Sequence, residues 1–113
     1  MAEPLHTVAE TPAFIATAQK SGMTTAEREM AIQQIAANPD AGDMIVGSGG
    51  VRKVRVAGRG FGKSGGFRIA TLFLGPDRPV YLLWVLSKGR TANFTADQIS
   101  AIRRAVEGIK HGQ

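Results

Sequence analysis

The sequence predicts an α+β fold: a small twisted antiparallel sheet of three to four strands with an N-terminal helical hairpin and a C-terminal helix, in the order β-α-α-β-β-β-α. Three observations predict it. Helix-capping signals lie towards both ends of the chain, strand-like alternation lies in the middle, and 113 residues suffice for a single domain spanning residues 1–113. The composition, 43% hydrophobic and 20% charged, is typical of a globular protein.

The helices are predicted from residues that begin and end them. Thr11, followed by proline, predicts a first helix that ends at Ser21-Gly22. A capping box at Thr24 to Glu27 predicts a second helix, which ends at Asn38-Pro39. A further capping box at Thr95 to Gln98 opens the C-terminal helix, whose apolar residues line one side.

The strands are predicted from alternation and from β-rich runs. Leu5 to Val8 is a short candidate strand ahead of the helices, and Val51 to Val56 alternates with period two. Phe67 to Leu74 is a second β-rich run. Val80 to Leu86 is apolar on both faces, so we expect it in the interior of the sheet.

The charge is distributed unevenly. The chain carries a net charge of +5, yet residues 1–43 hold six acidic and two basic side chains, whereas residues 44–113 hold three acidic and twelve basic ones. No carboxylate lies between Asp43 and Asp77. A field of one sign attracts polyanions, so nucleic acid, an acidic protein and an anionic membrane surface are candidate partners.

Cations from separate elements are expected to meet on one side of the sheet. Lys53 and Arg55 project from the same face of one strand because side chains alternate, and Arg68 lies on the next strand. Arginines stabilise the charge of a phosphorane, and a lysine among cations can accept a proton from a ribose 2′-OH. Phosphodiester cleavage and simple docking of an anionic partner are both consistent with these residues.

Other classes of site are not expected. The chain has no cysteine, so disulfides and cysteine nucleophiles are excluded. Ala57 to Ser64 matches a relaxed P-loop and Gly60 to Gly65 the dinucleotide fingerprint, but both patterns need a helix next and a β-rich run follows, so no nucleotide cofactor is expected. His6 and His111 lie near the termini, and no spacing of ligand residues predicts a metal.

The sequence predicts a cytoplasmic protein without a membrane partner. Its longest apolar run, Val80 to Leu86, has seven residues, which is too short to cross a bilayer. Met1 to Thr11 lacks the apolar core of a signal peptide.

Several segments together resemble one family. They are Gly49 to Val56, Gly62 to Arg68, Tyr81 to Leu83, Ser87-Lys88 and the stretch from Ala37 to Asp43. In combination they closely resemble the RelE-like toxins of bacterial type II toxin–antitoxin pairs, particularly the HigB-type branch, over almost the whole chain.

The resemblance implies a ribosome-dependent mRNA endoribonuclease, an mRNA interferase that inhibits translation through 2′-OH attack without a metal or other cofactor. It implies a cognate antitoxin as partner, in this branch usually a helix-turn-helix DNA-binding protein. Lys53 and Arg55 match the basic pair of the family's first long strand, and Arg68 matches the arginine of its Gly-Tyr-Arg motif, in which Phe67 here replaces the tyrosine.

The resemblance assigns phosphate stabilisation to Arg55 and Arg68 and makes Lys53 the candidate base. The cations expected to hold RNA are Arg52, Arg59, Lys63, Lys88 and Arg90. Two alternatives remain open. Relatives of the ParE type act on gyrase by binding and are not nucleases, and a degenerate toxin would only bind its antitoxin.

Overall fold

The computed structural model describes residues 5–56, 66–87 and 93–111, and over these residues the molecule is an α+β protein with three helices and a five-stranded mixed sheet. The strand order in the sheet is β1-β5-β4-β3-β2, with β1 parallel to β5 and all other neighbours antiparallel. In chain order the elements are β1 (Val8–Glu10), α1 (Pro12–Lys20), α2 (Thr25–Ala37), β2 (Asp43–Met44), β3 (Arg52–Val56), β4 (Phe67–Phe73), β5 (Val80–Ser87) and α3 (Ala96–Lys110).

The sheet is larger than predicted, and it is not wholly antiparallel. The additional strand, β2, has only two residues, both exposed, so it carries no periodic pattern that a sequence could reveal. β1 begins at Val8, where the predicted strand ends. It pairs in parallel with β5, more than 70 residues further along the chain, and local sequence does not encode such a partner.

All three helices begin where their capping residues predict, and α1 and α2 also end at the predicted residues. Thr24 and Thr95 both form complete capping boxes. In each box the threonine hydroxyl accepts from the backbone N–H of the third helical residue, and the side chain of that residue accepts from the backbone N–H of the threonine. Thr11 caps α1 in the same way through the N–H of Phe14, with proline at the first helical position. Among the described residues, no helix combines the length and the apolar character needed to cross a bilayer.

The sheet is buried on both faces by two separate apolar clusters. The face under α1 and α2, the hairpin face, is packed with Phe14, Ala18, Ala31, Ile35, Val54, Val56, Phe67, Ile69, Val80, Leu82 and Val85. The opposite face, the α3 face, is packed with Val51, Ala70, Leu72, Leu83, Phe94, Ile102 and Val106. As predicted, β5 is an interior strand that contributes to both clusters.

A β-bulge in β5 changes the sheet face to which some of its side chains point. Ala70 pairs with Trp84 while Thr71 pairs with Leu82, so Leu83 is an extra residue without a partner in β4. As a result Leu83 and Trp84, although consecutive, both lie on the α3 face. The bulge therefore sets Trp84 beside the middle of β4.

Threonine side chains join α1 to the strand beneath it. β1 is so short that it pairs only with the first residues of β5. Beyond it, the N–H of Val85 donates to the Thr17 hydroxyl at 2.9 Å, and the Thr11 hydroxyl donates to the carbonyl of Leu82 at 2.7 Å. The first bond satisfies a backbone N–H that the short β1 does not reach, whereas the Leu82 carbonyl also accepts from the backbone N–H of Thr11 at 3.2 Å.

An ion pair connects β1 to α2. The guanidinium of Arg28 donates from Nε and Nη2 to the two carboxylate oxygens of Glu10, at 3.0 and 2.7 Å. Chiefly through this hydrogen bonding and charge, Glu10 raises the pKa of Arg28 above its ordinary value. The two-bond geometry fixes the edge strand against the hairpin.

Gly42 is required by a close approach between β2 and β3. Its φ is +102°, and a Cβ at this position would lie 2.6 Å from the carbonyl oxygen of Lys53 and 2.9 Å from Cγ2 of Val54. We expect Gly42→Ala to lower the free energy of unfolding by about 2 kcal/mol or more, measured by urea denaturation. Gly22→Ala is the control because Gly22 also has a positive φ, +78°, but open space around its Cβ. Equal losses in the two variants would show that the close approach has no cost.

Thr71 is fully buried, and its hydroxyl has no hydrogen-bond partner within the described part of the chain. Thr71→Val keeps the shape and removes the buried polar group, so we expect it to stabilise the fold by about 1 kcal/mol. Thr71→Ala is the contrasting variant, since it leaves a cavity and is expected to destabilise. A thermal midpoint below that of the wild-type chain for Thr71→Val would contradict this account.

Candidate nucleic-acid interface

Two cations of β3, Lys53 and Arg55, lie on the α3 face because the residues that alternate with them are core residues. Val54 and Val56 are buried under the helical hairpin. Side chains of a strand alternate between faces, so Lys53 and Arg55 project from the opposite one. Lys53 is half-buried and Arg55 is exposed.

Arg68 is brought to the same face by the neighbouring strand. Its flanking residues, Phe67 and Ile69, are buried on the hairpin face, which leaves Arg68 on the α3 face. In the antiparallel register Arg55 lies directly opposite Arg68. Directly opposed side chains on one face have Cβ atoms about 5 Å apart, so the two guanidinium groups are held on neighbouring positions of one surface.

No carboxylate neutralises this arginine pair within the described part of the chain. The ion pairs found there are Glu10–Arg28 and Glu107–His111, both at other places in the fold. Opposed like charges destabilise a sheet. The pair therefore has a cost in the free protein that an anion bound between the arginines would offset.

Lys53 is the next cation along the same face. Its Nζ donates to Oδ1 of Asn93, just before α3, at 2.7 Å. Ala70 on β4 lies directly opposite Lys53, and half-buried Trp84 on β5 lies opposite Ala70. The small alanine therefore separates the lysine side chain from the indole ring. The side chain of Lys53 is thus held in place by a hydrogen bond to an amide.

The backbone around Arg55 is also fixed. Its carbonyl oxygen accepts a hydrogen bond from Nε2 of Gln34 on α2, at 3.0 Å. This bond satisfies a strand carbonyl that two-residue β2 does not reach, because β2 pairs only with Arg52 and Lys53. The hairpin helix therefore holds the strand end that carries the arginine.

Among the other predicted RNA-binding residues, the structure describes Arg52, which does not join this group. Arg52 lies on the opposite face from Lys53 and Arg55, and its Nη1 donates to the carbonyl of Gly42 at 3.2 Å. The predicted cations outside the described residues are Arg59, Lys63, Lys88 and Arg90. The site that the structure assembles consists of Lys53, Arg55 and Arg68, which we call the cation triad.

Sequence analysis missed three residues beside the triad. Asp43 on β2 lies opposite Lys53. The sequence between Asp43 and Asp77 has no acidic residue, but the fold brings Asp43 beside one of the cations in that stretch. Asn93 binds Lys53 although 40 residues separate them. Trp84 lies on the same face as Lys53, with Ala70 between them. The motif Ala37 to Asp43 pointed towards Asp43, but no local signal could indicate the other two.

The triad has the chemistry of a phosphate site with an adjacent amine. Two guanidinium groups offer planar, charge-assisted donors to phosphate oxygens. The amine belongs to Lys53, two residues along the strand from Arg55, so the Cα atoms of these two residues are about 6.8 Å apart. No protein-family model matches the sequence. The argument for function therefore depends on the geometry of the triad.

The opposed arginines predict a salt-dependent gain in stability when either one is neutralised. At about 0.01 M salt we expect Arg55→Gln or Arg68→Gln to raise the free energy of unfolding by roughly 0.5 kcal/mol. At about 1 M salt the gain should largely vanish, because the Debye length falls to about 3 Å.

A double-mutant cycle provides the control for this prediction. Once one arginine is neutral, neutralising the other should bring little further gain, since the repulsion has already been removed. Urea denaturation of the wild-type, both single variants and the double variant measures the coupling. Strictly additive effects would contradict the repulsion between the two side chains.

Proposed function

We propose that this chain is a RelE-like toxin of a type II toxin–antitoxin system and that it cleaves mRNA on the ribosome. The observation that carries the proposal is the triad itself: Arg55 and Arg68 lie opposite each other on one sheet face, neither forms an ion pair with a carboxylate among the described residues, and Lys53 lies beside them. Such a pair suits a phosphodiester that gains negative charge in the transition state.

In the proposed reaction the scissile phosphate lies on the two arginines. Lys53, in its neutral form, accepts the proton of the neighbouring ribose 2′-OH through its lone pair while it donates to Asn93. The 2′-oxygen forms a bond to phosphorus, and the bond to the 5′-oxygen breaks. The leaving oxygen takes a proton from solvent, so the products are a 2′,3′-cyclic phosphate and a 5′-hydroxyl.

The nucleophile in this scheme belongs to the substrate. A strand without a 2′-OH cannot react, so the scheme predicts cleavage of RNA and none of DNA. It also requires a flexible, single-stranded backbone that can reach in-line geometry, and mRNA exposed in the decoding site of a translating ribosome provides one. Cleavage there would inhibit translation.

A cognate antitoxin is the second partner in this proposal. By charge complementarity, an acidic segment would bind the triad and keep RNA out. In this branch the antitoxin is expected to be a helix-turn-helix DNA-binding protein. Both proteins would work in the cytoplasm, where mRNA is translated.

The direct test is cleavage of a reporter mRNA by the purified chain on translating ribosomes. We expect the wild-type chain to cut, and both Arg68→Ala and Lys53→Ala to lower the cleavage rate by about 100-fold or more, because each removes a group that acts in the transition state. Arg104→Ala is the matched control: it removes one positive charge from an exposed position on α3. We expect its rate to stay near that of the wild-type chain.

Other outcomes would assign the chain differently. If it linearised DNA in the presence of gyrase and left mRNA intact, its action would be that of a gyrase poison. If its expression without any antitoxin did not slow growth, it would be a degenerate toxin. Full mRNA cleavage by Arg68→Ala and Lys53→Ala would refute the roles given to the triad.

A further inference from the structure

A cleft lies beside the triad, between β2 and the start of α3. Its volume is about 280 Å³. Polar groups at its surface come from Asp43, Lys53 and Asn93, and apolar walls come from Met44, Ile45, Val46, Phe94 and Ile99. We call it the β2–α3 cleft. A flat ring with polar atoms on one edge fits this combination of apolar walls and few polar groups.

The apolar rim of the cleft is unusually exposed. Met44 is 54% exposed and Val46 is 91% exposed. The opposite wall is different, because Phe94 is buried and belongs to the α3-face cluster. A ligand that entered the cleft would thus meet a fixed wall on one side and would cover apolar surface on the other.

The polar groups of the cleft retain hydrogen-bonding capacity within the described part of the chain. The carboxylate of Asp43 makes no ion pair there, although Asp43 pairs with Lys53 in the strand register. Oδ1 of Asn93 accepts a hydrogen bond from Nζ of Lys53, which leaves the amide N–H groups of Asn93 to donate. The cleft therefore offers a charged acceptor and a neutral donor.

Lys53 belongs to both the cleft and the triad. If Lys53 takes the proton of a 2′-OH, the ribose that carries this hydroxyl lies at the lysine. The base of the same nucleotide then lies within reach of the cleft. This step rests on the proposed function, because it uses the role given there to Lys53.

We propose that the β2–α3 cleft binds the base on the 5′ side of the scissile phosphate and that it selects guanine. The Watson–Crick edge of guanine presents two adjacent N–H donors and one carbonyl acceptor. The Asp43 carboxylate accepts from the two donors, and the Asn93 amide donates to the carbonyl. The other three bases lack a pair of adjacent N–H donors, so a carboxylate holds them with fewer bonds.

The binding test does not use cleavage. The four nucleoside 3′-monophosphates are titrated into the full chain, since each carries its phosphate where the scissile phosphate would be. We expect 3′-GMP to shift the amide NMR signals of Asp43, Asn93 and Phe94, and to bind at least about fivefold more tightly than 3′-AMP, 3′-CMP or 3′-UMP.

Asp43→Asn removes the charged acceptor with little change in size. We expect it to weaken 3′-GMP binding by about tenfold and to abolish the preference for guanine. Asp40→Asn is the matched control, because Asp40 is exposed, lies three residues away and does not line the cleft. It should leave the preference unchanged. Intact amide spectra of both variants establish that they fold.

Three results would overturn the proposal: equal or undetectable binding of all four nucleotides, signal shifts outside the cleft, or a guanine preference that survives in Asp43→Asn. Mapping of cut sites on ribosome-bound mRNA separates this proposal from the proposed function. If the chain binds 3′-GMP in the cleft but cuts no mRNA, the proposed function fails and the cleft remains a guanine-binding site without a scissile phosphate. If it cuts mRNA without favouring guanine 5′ of the cut, only the base proposal fails.

Discussion

The pairing of β3 with β4 is the constraint on which the rest of the site depends. Val54 and Ile69 are partners in this register, and both are buried under the helical hairpin. The same register places Arg55 opposite Arg68 on the other face. If the register shifted by one residue, the charged side chains would point into the apolar core under the helical hairpin. Burial of unpaired charges there would cost far more free energy than any contact at the surface could return. Hydrophobic burial on one face thus determines the charge arrangement on the other.

Stability and the candidate function have opposite requirements at this position. Opposed arginines without a carboxylate destabilise the free sheet, yet such a pair is complementary to a phosphate. The cost is tolerable because β3 is held elsewhere, by the bond from Gln34 to the Arg55 carbonyl and by the bond from Arg52 to the Gly42 carbonyl. Proteins commonly retain unfavourable local interactions where a ligand binds, and offset them through the surrounding packing.

The α3 face is divided between packing and binding. At one end, Ile102 and Val106 of α3 pack in one cluster with Leu72 and Leu83 of the sheet. Lys53, Arg55 and Arg68 occupy the remaining part, next to the cleft where α3 begins. The segment before α3 therefore contributes to the core through Phe94 and to the site through Asn93. Because α3 begins close to the cations, the segment before it brings the Asn93 side chain to Lys53 as a hydrogen-bond acceptor.

Sequence alone was sufficient for features that depend on neighbouring residues. Capping boxes and proline positions determined the three helices, and period-two burial determined that Lys53 and Arg55 share a face, because these signals act over a few residues. The tertiary structure decided which distant residues meet. The parallel pairing of β1, the two-residue strand that brings Asp43 to Lys53, the bond from Lys53 to Asn93 and the bulge that re-aims Trp84 all depend on long-range packing. Packing of that kind is a property of the whole folded chain, and no short segment encodes it.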